Sequence, residues 1–323
     1  MKYKYIIGGA QNDFYLASYA DIMDRKDIIY RRSEMDGNNR VLSILRDKHF
    51  SKRINSIIDL PGKSIWNSLY FKNSYKREER VCFILFARYI SNIKYGMISD
   101  LRKRYPNCKI VCFFQDLVST IGYQTPNDLK EYFDLILSFD HEDCEKYGFQ
   151  YYPLVYSKVN IQDDDMIEES DLYFVGKAKN RFKEIIDIFV KCTNAGIKCD
   201  FHIVGVPPEQ QVYSDRIDYC MQMPYEENLR RIKKSRCMLE IMQQGGHGYT
   251  LRYGEAIAFG RRLITNNSEI SSAPFFRPEY ISTFSSAEDF DTAFILDGEK
   301  EVDYHYIEQL SPIRLIEFVD AHI

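Results

Sequence analysis

Several protein classes are excluded by what this chain lacks. No run reaches the about 18 consecutive apolar residues of a membrane-spanning helix. The opening MKYKYIIGGAQNDF has an apolar run too short for a signal peptide and no small-residue cleavage site. A soluble, cytoplasmic chain is therefore expected. Cys82, Cys108, Cys112, Cys144, Cys192, Cys199, Cys220 and Cys237 are dispersed with no CxxC pair. Buried, reduced thiols are expected, not a disulfide scaffold or a zinc ribbon. The histidines are scattered, and Asp163-Asp164-Asp165 falls in an irregular stretch, so neither a metal nor another cofactor is expected. A formal charge of −4 argues against nucleic acid as a partner. The GxGxxG fingerprint of dinucleotide sites is absent.

What the chain does have is apolar mass and alternation. Tyr and Phe are abundant (25 and 21), tryptophan is single (Trp66), and a hydrophobic fraction of 45% supports sizeable cores. A length of 323 residues suggests two domains. Lys4–Ala10 reads as a buried strand ending in Gly8-Gly9, followed by Asp13 and a helix over Phe14–Met23. Residues 28–48 look polar and irregular, and Asn55–Leu60 looks like a second strand. Glu79–Ala87, Lys109–Phe114 and Leu135–Phe139 follow as apolar strands, with helical stretches between them. They deliver Asp116, Asp140 and His141 to strand C-terminal ends. The acidic run at 157–170 is the best linker. The pattern then restarts: strand Leu172–Val175, a basic loop Gly176–Arg181, helix Phe182–Asn194, strand Asp200–Val204, helix Tyr225–Ser235 and strand Met238–Met242. The fold class is therefore α/β, built from doubly wound parallel sheets.

Residues 239–265, LEIMQQGGHGYTLRYGEAIAFGRRLIT, combine three signals. Gly245, Gly246 and Gly248 make a loop, TLRYGEAIAFG makes a partly buried helix, and RRLIT makes a strand. A glycine loop opening onto a helix N-terminus favours anions, because free N–H groups and the helix dipole point the same way. Arg252 and Glu255 stand three residues apart on that helix. A guanidinium takes phosphate oxygens bidentately, and a carboxylate accepts from ribose hydroxyls.

His247-Gly248-Tyr249-Thr250-Leu251-Arg252-Tyr253-Gly254-Glu255-Ala256-Ile257-Ala258-Phe259-Gly260 resembles the E-x7-E signature of retaining, nucleotide-sugar-dependent GT-B glycosyltransferases. The second Glu and the E-A-x-A-x-G core match; His247 replaces the first Glu, and Arg262 the usual Pro. The resemblance implies two Rossmann-like domains facing across a cleft, with boundaries 1–160, a linker 161–170, 171–310, and a C-terminal helix 311–323 packing back on the first domain. It implies that Glu255 holds the donor ribose. Arg252 and the N–H groups of Gly248, Tyr249 and Thr250 would meet the diphosphate, as would Gly176, Lys177 and Arg181. His247 or a neighbouring glutamine would face the donor sugar, and Tyr225 would lie at the base.

In the first half, Gly8 and Gly9 would let a ligand approach the backbone. Asp116 or His141 would orient or deprotonate the acceptor; Asp140 and His141 equally suit the cap of the following helix. The expected activity is a hexosyltransferase-type transfer. It would move sugar from a nucleotide-diphosphate donor to a glycan or lipid-linked saccharide, with retention. The alternatives are a non-catalytic glycosyltransferase-like partner subunit and a nucleotide-sugar epimerase. The basic stretch 70–80 and Arg102–Arg104 read first as a plain solvated surface, with peripheral contact at the inner face of a membrane as the alternative. A homo-oligomer is the other partner expectation.

Overall fold

The computed structural model describes residues 2–58, 60–72, 74–121, 126–243, 248–299, 301–305 and 309–323. The chain divides into two compact units, Met1–Pro153 with Pro312–Ile323, and Leu154–Ser311.

The first unit carries six strands: β1 (Lys4–Gly8), β2 (Ile28–Arg31), β3 (Val81–Phe86), β4 (Lys109–Phe114), β5 (Leu135–Ser138) and β6 (Gln150–Tyr151). They pair in parallel in the order β2-β1-β3-β4-β5-β6. β3 reads VCFILF and is buried at every position, as a central parallel strand covered on both faces must be. The order reverses between β1 and β3, which is where open α/β sheets hold ligands. The helix Pro312–His322 buries Leu315, Ile316 and Val319 in this unit. Its Asp320 accepts from the Lys2 N–H at 3.1 Å and from the Tyr5 hydroxyl.

One strand differs from the sequence reading. The second strand is Ile28–Arg31, in register with Tyr5–Gly8, not Asn55–Leu60. Ile57 and Ile58 there are exposed, just beyond a short helix at Lys52–Asn55. The doublet Ile28-Ile29 has an open β1 edge to pair with; Ile57-Ile58 does not lie in the sheet.

The second unit repeats the plan with β7 (Ser170–Lys177), β8 (Cys199–Val204), β9 (Ile217–Asp218), β10 (Ser235–Glu240), β11 (Arg262–Thr265) and β12 (Ile281–Thr283). The order is β12-β11-β10-β7-β8-β9, all parallel. The reversal falls between β7 and β10. The helix Phe182–Asn194 buries Ile185, Ile188, Phe189 and Cys192 against one sheet face. The helices Tyr225–Lys234 and Leu251–Phe259 cover the other. The acidic run joins this unit: Lys233 pairs with Asp163 at 2.8 Å and binds the Ile161 carbonyl at 2.7 Å. All eight cysteines are free. Burial pushes the Cys108 and Cys144 thiols up to about 11, which keeps them protonated and unreactive.

Candidate functional site

The C-terminal edge of the second sheet gathers most of the expected donor residues. At the end of β7 the chain turns sharply at Lys179, a non-glycine residue with φ 43°. That left-handed backbone is costly without glycine and is held by a bond from Lys179 Nζ to Gln243 Oε1 at 2.7 Å. Lys177 stays exposed. Arg181 folds back: Nε and Nη2 donate to the Lys177 carbonyl at 3.2 and 3.1 Å, and Nη1 donates to the Ile241 carbonyl beyond β10. Its guanidinium therefore bridges the β7/β10 reversal. Gly176 lies under it, since a Cβ there would come within 3.1 Å of Arg181 Nη2.

Arg252 reaches the same place from the helix Leu251–Phe259. Its Nη2 donates to the Val175 carbonyl at 2.7 Å and its Nη1 to Glu255 Oε2 at 2.7 Å. Burial opposes the charge on Arg252, but the Glu255 carboxylate and the surrounding tyrosines outweigh burial and hold its pKa above the ordinary value. Arg181 goes the other way: burial and then the Arg252 charge lower it. Two guanidinium groups thus sit close enough to repel, at the switch point of a parallel sheet.

Glu255 is fully buried. Its Oε1 accepts from the Tyr225 hydroxyl at 2.8 Å and from Asn228 Nδ2 at 3.0 Å. Tyr225 spends its proton on Glu255, so Tyr156, 3.0 Å away, donates to Tyr225. Asn228 Oδ1 accepts from Tyr173 at 2.9 Å. The carboxylate is thus saturated within the protein, and a ribose hydroxyl can reach it only by displacing Tyr225 or Arg252. The pocket is also roofed tightly: a Cβ on Gly254 would stand 2.6 Å from Leu154 Cδ2.

The loop before this helix is pinned at both described ends. Asn266 Oδ1 accepts from the Met242 N–H at 2.6 Å, and Asn267 Nδ2 donates to the Gly248 carbonyl at 2.9 Å. The Gly248 N–H is taken by Glu269 Oε2 at 3.0 Å. Thr250 caps the helix, accepting from the Arg252 N–H at 3.1 Å, and its hydroxyl donates to Glu240. The N–H groups of Tyr249 and Thr250 have no hydrogen-bond partner among the described residues. They are free donors beside Arg252. His247, with Gly245 and Gly246, lies outside the described residues.

Glu240 was not singled out in the sequence, although a lone carboxylate in the apolar run MLEIM is a visible signal. It ends β10 and is buried. Its two oxygens accept from the hydroxyls of Thr250 and Thr265. Burial pushes its carboxyl up; the two hydroxyls and both arginines only partly offset this. Asn228 also escaped notice: it lies on the buried face of YEENL, where an amide looks like surface. A cavity of about 390 Å³ adjoins, lined by Asn180, Arg181, Glu184, Met242, Gln243 and Asn266, with Ser285. That falls in the usual range for small-molecule sites.

The first-unit candidates are placed separately. Gly8 and Gly9 are buried, and packing explains both: a Cβ on Gly8 would meet Leu85 Cδ2 at 2.8 Å, and one on Gly9 the Tyr30 hydroxyl at 2.1 Å. Asp116 follows β4, and desolvation pushes its carboxyl up beside Tyr15. His141 opens the helix His141–Tyr147 and stacks on Tyr151, centroids 3.7 Å apart. Asp140 is the cap, accepting from the Asp143 N–H at 2.8 Å.

No family model matches this chain, and no curated protein matches it in sequence. The fold does have solved counterparts. An alpha-glucosyltransferase in complex with UDP and a 13-mer DNA containing a central A:G mismatch superposes with a TM-score of 0.52 at 12% identity, over 98% of this chain and 99% of that one. An alpha,alpha-trehalose-phosphate synthase (UDP-forming) from Burkholderia vietnamiensis gives 0.50 at 10% identity, over 100% and 99%. TarM gives 0.51 at 10% identity, over 75% of this chain and 54% of TarM, so the chain spans about half the length of that protein. These neighbours are GT-B glycosyltransferases. At such identities the likeness establishes the architecture: two Rossmann-like α/β units, each a six-stranded parallel sheet, as in the GT-B fold. Function does not follow from the fold and has to be argued from the site.

Proposed function

We propose that the protein is a glycosyltransferase. It moves a sugar, with retention, from a nucleotide-diphosphate-sugar to a hydroxyl of a glycan or lipid-linked saccharide. The observation that carries this reading is the pair Arg181 and Arg252 at the β7/β10 reversal, with the free N–H groups of Tyr249 and Thr250 beside them. This is a site for a diphosphate. When the bond from the anomeric carbon to the β-phosphate oxygen breaks, its electron pair stays on that oxygen, and the two guanidinium groups stabilise the charge. Exposed Lys177 adds a third cation. Glu255 fixes Arg252 and Tyr225, and ribose contact is reached by displacing the Tyr225 hydroxyl. His247 contributes to the donor sugar. The acceptor oxygen forms the new bond and loses its proton; Asp116 and His141 in the first unit are the proposed acceptor-side groups. An upward-shifted Asp116 is the better base.

The test is thermal unfolding with UDP, GDP, ADP and their sugars. A ligand at roughly 100 times its Kd stabilises the native state by about 2.7 kcal/mol. At least one nucleotide diphosphate should raise the midpoint, and Arg181→Ala should remove the rise. Absence of any shift overturns the reading. Donor hydrolysis by the isolated chain separates an enzyme from a non-catalytic partner subunit.

A further inference from the structure

We infer that the described residues of the stretch 40–65 form a surface that docks on an anionic lipid bilayer, a property beyond the transfer reaction proposed above. The helix Arg40–His49 buries none of its residues. Its inner stripe, Leu42, Arg46 and His49, faces the unit: Arg46 pairs with Glu34, and His49 Nδ1 accepts from Trp66 Nε1 at 2.9 Å. The outer stripe is Val41, Ile44, Leu45 and Lys48, at i, i+3, i+4 and i+7. A surface helix ordinarily turns such an apolar stripe to the core; here all three aliphatic side chains are exposed.

Further aliphatic residues are exposed beyond the helix. Ile57 is 82% exposed, Ile58 64% and Ile65 63%. His49 holds the segments together: Nε2 donates to the Pro61 carbonyl at 3.0 Å, and the His49 carbonyl accepts from Asn55 Nδ2 at 2.8 Å. With Nδ1 already accepting from Trp66, the proton of the neutral ring is on Nε2. Three exposed aliphatic residues on one helix stripe, with three exposed isoleucines on segments tied to that helix, mark an interaction site, not random surface scatter.

Charge selects the occupant. Positions 40–65 hold six basic residues against two acidic ones, in a chain whose formal charge is −4. Arg40, Lys48 and Arg53 are exposed and form no ion pair with a described residue. Aliphatic side chains rimmed by unpaired cations fit the acyl–headgroup boundary of an anionic leaflet. The stretch suggested by sequence fits less well. Arg102 pairs with Asp134, Arg104 with Asp100 and two carbonyls, and Arg80 donates to the Tyr3 hydroxyl.

The test is co-sedimentation of the full chain with phosphatidylcholine vesicles, with and without phosphatidylglycerol, at low and high salt. Binding should require phosphatidylglycerol and fall with salt. Each of Arg40→Ala, Lys48→Ala and Arg53→Ala should weaken partitioning roughly fivefold. Ile44→Glu with Ile57→Glu should abolish it while leaving the unfolding midpoint and any nucleotide binding unchanged, which separates failure here from failure of the donor site. Equal binding to neutral and anionic vesicles, or wild-type binding by the double variant, overturns the inference. So does a dimer in solution that the same substitutions dissociate.

Discussion

Glu255 is the sharpest place to test the site, because the sequence and the structure assign it different work. The sequence pattern makes it a ribose ligand. The structure makes it the hub of a buried network, accepting from Arg252, Tyr225 and Asn228. Replacing it with Met leaves Arg252 without its counter-charge and two donors without an acceptor. Removing one member of a buried ion pair costs about 3–5 kcal/mol, and each abandoned donor adds about 1–3 kcal/mol where solvent cannot reach it. The Arg252 side chain retains 23% exposure and Tyr225 can turn toward Tyr156, so about 3–5 kcal/mol in all is the expected cost. For a unit of this size that is a fall of roughly 10 °C in the unfolding midpoint.

A double-mutant cycle isolates the pair. Glu255→Met and Arg252→Met should each destabilise, and the double variant should be more stable than additivity allows by about 1–3 kcal/mol, since an apolar pair replaces a charged one at little cost. Calorimetric unfolding of the four proteins reads this directly. Additivity within about 0.5 kcal/mol would refute the network argument. Unchanged affinity of Glu255→Met for UDP, GDP and ADP, measured where the variant is folded, would remove Glu255 from the donor site.

Two further outcomes follow from neighbouring residues. Burial holds the Glu240 carboxyl above its unfolded value, so the folded state binds more protons between the two values and stability falls as pH rises through that window. Glu240→Gln lacks this loss; its stability relative to wild type should grow from pH 4 to pH 8 in urea titrations, and a pH-independent difference would contradict the burial argument. Gly260 ends the helix Leu251–Phe259 at φ 59°, and a Cβ there would meet the Val302 carbonyl oxygen at 2.6 Å. Gly260→Ala should cost about 1–3 kcal/mol, against about 1 kcal/mol for Gly196→Ala, where φ is 77° but nothing lies within 4 Å; equal costs would remove the steric contribution.

The sheet strands were legible because central parallel strands leave long apolar runs: ERVCFILFA and DLYFV need little context. The edge strand β2 was not, because IIYR and SIID carry the same apolar doublet. Only the three-dimensional neighbours decide which pairs with β1 and which stays in solvent. The same limit governs the site. Glu255, Arg252 and Thr250 were visible because one helix carries them. Asn228 meets Glu255 from 27 positions away, and Thr265 meets Glu240 from 25. No local pattern encodes such a pairing.

The acidic residues of the second unit give the site a common logic. Glu255 neutralises Arg252, Glu269 occupies the Gly248 N–H, and Glu240 binds the hydroxyl that caps the helix. Two of these carboxylates hold groups that a diphosphate would seek. A diphosphate therefore has to compete with the protein's own anions, and the three do not compete equally. Glu255 is buried and tied to three partners. Glu269 is only half-buried and accepts from the Gly248 N–H. Displacing the Glu269 carboxylate into water is the less costly exchange, because a solvated carboxylate loses little. On the donor reading proposed above, binding would start at Gly248 and the N–H groups of Tyr249 and Thr250, with the neutral Arg252–Glu255 pair left intact behind them.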